Sequence, residues 1–70
     1  MTKPIDTIQR ALQDKFPVER VSDQQLQWRT SESVLVEVTH WFHALQIARN
    51  NQQVATFYKV AECIRYLLAE

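Results

Sequence analysis

A chain of 70 residues with no glycine has few ways to reverse direction. Glycine takes positive φ without steric penalty, so turns here fall to Asn, Asp, Ser and Pro. The same absence argues against close backbone approach to a phosphate, and it tilts the reading toward helix. One stretch pulls the other way. Val34, Val36 and Val38 place three valines within five residues, and β-branched side chains fit a pleated surface better than a helix interior. The choice between strand and helix for residues 18 to 39 decides the fold class.

Before that region, Thr2 to Phe16 reads as a helix with Ile5, Ile8, Leu12 and Phe16 on one face and Ala11 beside them. Thr2 is the expected N-cap, Pro4 suits a first turn, and Asp6 complements the helix dipole. Asp6 and Arg10 are spaced for an exposed ion pair of about 0.3 kcal/mol, and Pro17 is expected to end the helix. Three strands then follow as a meander. Val18 to Val21 form the first, Ser22-Asp23-Gln24 turn, and Leu26, Trp28 and Thr30 alternate along the second. After a polar turn from Thr30 to Ser33, Val34, Val36 and Val38 line one face of the third, with Leu35 and Glu37 on the other. The rival reading is all-helical: Val34, Val38, Trp41, Leu45 and Ala48 also fit a helical stripe, and Ser22 with Gln25 fits a capping box.

His40 to Arg49 is expected to be a short helix carrying Trp41, Phe42, Leu45 and Ala48. Asn50-Asn51 interrupts it as a cap, with a hairpin through two positive-φ asparagines as the alternative. Gln53 to Glu70 is expected to be a long helix. Val54, Phe57, Ala61, Ile64 and Leu68 recur at steps of three and four; Val60 and Leu67 widen that face on one side and Tyr58 on the other. Thr56, Lys59, Glu62 and Tyr66 make up most of the opposite side. The resulting expectation is one α+β domain over residues 1–70: N-terminal helix, three-stranded antiparallel meander, short helix, long C-terminal helix. The alternative is an all-α four-helix domain.

A chain this short hides only about 60% of its unfolded surface on folding. Disulfides within the chain are excluded, since Cys63 is the only cysteine. A partner supplies the missing burial. The broad C-terminal apolar face suggests a second copy in a two-fold dimer, with Tyr58, Val60 and Leu67 as the contact residues. Trp28 and Arg29, types enriched at interaction hot spots, are the other candidates for binding a partner.

Chemistry offers weaker signals. His40 and His43 stand three apart, with Glu37 three before His40, so on a helix they would share a face and could reach one metal ion. No second ligand pair follows, and the sequence implies neither metal nor cofactor. Cys63 sits at the edge of an apolar face, where cysteine behaves as a small hydrophobe, and no cluster of cations activates it. No acid pair, triad or nucleophile points to an enzyme.

Charge balances at eight basic and eight acidic residues, which removes the simplest nucleic-acid footprint. The order helix, three strands, helix resembles that of the double-stranded-RNA-binding domain, and that resemblance would imply RNA as partner. The lysines expected at its last helix start are replaced by Asn51-Gln52-Gln53. Residues 40 to 69 could also form a helix-turn-helix, though with an apolar second helix. The N-terminal residues contain no continuous apolar run of a leader, and no stretch approaches the roughly 20 residues of a spanning helix. The expectation is a small cytoplasmic, non-enzymatic protein–protein interaction module or regulator that binds no membrane, with a nucleic-acid-binding regulator as the alternative.

Overall fold

The structure, a computed structural model, describes residues 3–69. Helix α1 (Pro4–Leu12) leads into strands β1 (Glu19–Ser22), β2 (Gln25–Arg29), β3 (Leu35–Trp41), β4 (Ala44–Arg49) and β5 (Gln52–Phe57), and helix α2 (Val60–Leu68) closes the chain. The five strands form one antiparallel sheet in sequence order, each paired with the next. Five strands replace the expected three-stranded meander, and the four-helix alternative does not match either.

The alternation of side chains explains which face is buried. Leu26 and Trp28, Val36 and Val38, and Leu45 and Ile47 point to one side of β2, β3 and β4, where they meet Ile5, Ile8 and Leu12 from α1 and Cys63 and Leu67 from α2. Helix α1 lies against β2 and β3, and α2 lies against β5 and beside α1. The other side of the sheet carries Gln25, Gln27, Glu37, Thr39, Gln46, Ala48 and Thr56 by strand parity. One solvated face is the ordinary arrangement for an antiparallel sheet packed against helices on the other. Gln25 Nε2 donates to Glu37 Oε2 at 3.1 Å on that open face.

Two expected helices are strands, and each has a local cause. Residues 40–49 form the β3–β4 hairpin in place of a short helix. Leu45 and Ile47 are the buried pair of β4, a spacing of two that belongs to a strand. Trp41, Leu45 and Ala48 matched a helical stripe by coincidence, because steps of three and four include residues from both faces of a strand. Residues 52–57, expected as the start of the long helix, form β5. Asn50 and Asn51 take φ of 49° and 68°, so the chain turns there and does not cap a helix. Loss of those residues from the helix also shifts its buried side. Val60, Cys63 and Leu67 pack inward, with Ile64 half-buried, while Ala61 and Leu68 lie outside.

The N-terminal helix is shorter than expected. It ends at Leu12, five residues before Pro17, and a turn with Phe16 N–H donating to Leu12 O follows. Pro4 stands in its first turn, and the residue before the helix is Lys3. The expected cap, Thr2, lies outside the described residues, as does Glu70. Asp6 pairs with Arg20 of β1, Nη1 to Oδ1 at 2.6 Å, and Gln9 Oε1 accepts from the same nitrogen at 3.0 Å. That clamp ties α1 to the first strand. The guanidinium beside Asp6 holds its carboxyl below the usual carboxylate range.

Candidate functional site

The two ends of the sheet differ in what they expose. At one end the β3–β4 hairpin reverses through Phe42 and His43, between the paired residues Trp41 and Ala44. Trp41 is 60% exposed and Phe42 78%. Their rings meet edge to face, with centroids 4.9 Å apart. Tyr58, 75% exposed, stands one residue past the Leu45–Phe57 pair and so at the same end of the sheet. Large aromatic residues normally go to the interior of so small a domain, because each removes a large apolar area from water. Here three stay outside at one end.

Phe42 is also held in an unusual conformation. Its φ is 57°, in the left-handed region where a bulky side chain crowds the backbone. Two-residue hairpin loops need positive φ so that the turn matches the strand twist, and glycine ordinarily stands at the first position when only that residue is left-handed. No glycine exists in this chain. The neighbouring hairpin solves the same problem with asparagine, a residue tolerant of this region. Phe42 is therefore a strained residue that is not replaced by a better turn former, and its side chain is presented to solvent.

At the opposite end, a cleft of about 620 Å³ opens between the β2–β3 loop, the turn after α1 and the end of α2. Phe16, Trp28, Val36 and Leu67 form its apolar walls, and Lys15 and Arg29 stand among its lining. Arg49 lines it too, and Lys15 and Arg29 already serve the fold. Lys15 Nζ donates to Leu68 O at 2.9 Å, where a cation offsets the negative end of α2. Arg29 Nη1 donates to Ser33 O at 3.2 Å across the β2–β3 loop.

The residues expected to bind a partner fall in three places. Trp28 is 4% exposed and stacks on Phe16 with ring centroids 5.5 Å apart, so it belongs to the core and meets solvent only at the wall of the cleft. Leu67 is 2% exposed and Val60 packs partly against the same core. Leu67 is thus covered by the chain's own helix α1 and sheet, whereas Leu68 on the same helix is 37% exposed. Arg29 is exposed at the cleft end, and Tyr58 is exposed at the aromatic end. The residues that composition alone did not single out are Trp41 and Phe42. The helical spacing of residues 40–49 hides them, and only their strand pairing puts them at a hairpin tip. The signal available was the Phe-His pair between two alternating apolar runs.

The histidine pattern also changes meaning on a strand. Glu37 and His40, three apart, point to opposite faces of β3, and Glu37 is bonded to Gln25 while His40 Nδ1 lies 3.0 Å from Gln24 Oε1. Among the described residues no group of three side chains of metal-ligating type converges. Cys63 is fully buried, and burial pushes its thiol up to about 11, so it stays protonated at neutral pH. No described helix is long and apolar enough to cross a membrane. Comparison with protein-family models, with curated proteins and with solved structures finds no match to this chain.

Proposed function

We propose that this chain is a small non-enzymatic interaction module that binds another protein by inserting the Trp41–Phe42 hairpin tip into an apolar pocket of that partner. The observation that carries the reading is the coincidence of exposure and strain at Phe42. Left-handed backbone at a bulky residue costs about 1–3 kcal/mol, and such strain gathers at sites with a use for the side chain. Tryptophan beside it adds the residue type most enriched at interaction hot spots. Aromatic side chains lose little conformational entropy when they are ordered on binding, which favours them as anchors. Tyr58 flanks the tip, and His43 and Lys59 supply a polar rim of the kind that surrounds a buried anchor. A cytoplasmic setting belongs to the same proposal, its support being the single, buried, reduced Cys63.

The test is affinity capture from a native lysate, with nuclease, using the parent chain and the double variant Trp41→Ser/Phe42→Ser. The reading expects a defined protein that survives nuclease and disappears with the variant. Partners lost on nuclease treatment would move the assignment to nucleic acid. Equal capture by the parent and the variant would remove the hairpin tip from the interface.

A further inference from the structure

The cleft at the far end of the sheet shares no residue with the hairpin tip, and its lining joins two kinds of chemistry. Strand register builds its floor. Trp28 faces Val36 across β2 and β3, and Val36 faces Arg49 across β3 and β4, so the three stand in one row on the helix side of the sheet. Trp28, Val36 and Leu67 are almost fully buried and show the cleft only an edge. Its open apolar surface comes from Phe16, Pro17 and Val34. The β2–β3 loop on one side is set by its own hydrogen bonds. Thr30 Oγ1 accepts from the Glu32 and Val34 N–H groups, both at 3.2 Å, and Thr30 N–H donates to Val34 O at 3.0 Å. That side of the cleft is therefore formed in advance of any ligand, as small-molecule sites usually are.

We infer that this cleft binds a small organic anion, a carboxylate carried on a compact apolar body. Charge selects that occupant. The chain as a whole is neutral, yet the cleft lining gathers Lys15, Arg29 and Arg49 against one acid, Glu32. Lys15 and Arg29 each donate to a backbone carbonyl, which leaves their charge uncompensated. Among the described residues neither meets a carboxylate within ion-pair distance. Lys15 Nζ also stands 5.5 Å from the centre of the Phe16 ring, so positive charge borders the apolar wall directly. A guanidinium fork matches the two oxygens of a carboxylate, while Phe16, Pro17 and Val34 receive an apolar body and offer nothing to a fully hydrated ion. The volume of about 620 Å³ falls within the roughly 300–1,000 Å³ of small-molecule sites. A polyphosphate fits less well, since it sets a polar, highly charged body against those apolar walls.

The experiment titrates naphthoate into the isotopically labelled full chain and follows the backbone amide resonances. Naphthalenemethanol serves as the uncharged counterpart, and acetate as the anion without an apolar body. Naphthoate is expected to move the amides of residues 15–17, 28–36 and 49 and to leave those of residues 41–43 in place. Both controls are expected to bind at least about tenfold more weakly. Lys15→Gln and Arg29→Gln, both at exposed positions, are each expected to weaken naphthoate about three- to tenfold, and added salt is expected to weaken it in the parent. Absence of shifts in the parent would overturn the inference, as would shifts scattered over the surface or equal binding of naphthalenemethanol. Tighter binding by a short peptide ending in phenylalanine with a free carboxylate would overturn the small-molecule assignment. Movement of the same amides with protein concentration alone would do so in favour of a second copy. Trp41→Ser/Phe42→Ser is expected to bind naphthoate as the parent does, so loss of partner capture and loss of anion binding are read separately.

Discussion

Two adjacent hairpins of this sheet turn in the same number of residues and do so with opposite economy. The β4–β5 turn uses Asn50-Asn51, with φ of 49° and 68°. Both residues tolerate the left-handed region, and Asn50 Oδ1 also accepts the Leu35 N–H at 3.1 Å while its own N–H donates to Leu35 O at 2.8 Å. The β3–β4 turn uses Phe42-His43, with Phe42 at φ 57° and its ring in water. One turn is fitted to the fold. The other departs from it at a cost to stability, and the departure puts an aromatic pair at the tip of the sheet. The contrast teaches that the strain at Phe42 is not forced by a lack of glycine, since asparagine is used for the same task eight residues later.

That contrast can be broken most severely at the fitted turn. Asn50→Val sets a β-branched residue at positive φ and removes a hydrogen bond, and should lose roughly 2 kcal/mol or more of stability in urea denaturation. Phe42→Gly relieves the strained position and should gain about 1 kcal/mol, which for a domain of this size is about 4–8 °C in Tm. Trp41→Ser touches neither turn dihedral. It should change stability by under about 0.5 kcal/mol, while weakening partner capture as much as a change at Phe42 does. The smallest effect is expected away from both turns, at the clamp between α1 and β1. Asp6 has a carboxyl pKa lowered by Arg20 from 3.8, so its contribution is complete above the unfolded value and fades as pH falls through the folded one. A urea midpoint followed from neutral to acid pH should show this loss in the parent and a shallower one in Arg20→Gln. Equal pH dependence in both would remove the clamp from the account.

The α+β class was legible in the sequence, and so was the alternation that puts Leu26 with Trp28 and Val36 with Val38 on one face of their strands. The C-terminal half was not. Trp41, Leu45 and Ala48 satisfy a helical stripe as well as they satisfy a hairpin, and the choice rests on Leu45 and Ile47, whose spacing of two is a single step of evidence. Asn50-Asn51 carried the deciding signal for the second hairpin, but two asparagines serve a helix cap and a type I′ turn alike. The long helix failed for a related reason. Val54 and Phe57 are three apart and so extend the pattern of Val60 and Ile64, although one lies on each face of β5. For the site, Tyr58 could be named from its place at a helix edge, whereas Trp41 and Phe42 needed the hairpin. Trp28 and Leu67 were visible as large apolar residues, and only tertiary packing decided that they face inward.

The most direct test of the central claim is one variant, Phe42→Gly, followed by a thermal melt and by nuclease-treated affinity capture on the same preparation. A higher Tm together with loss of the captured protein is the predicted result, because one substitution removes both the strain and the anchor. A higher Tm with the same protein still captured would show that the Phe42 side chain has no part in binding. A lower Tm would show that the ring supports the fold, and the contrast between the two turns would fall with it.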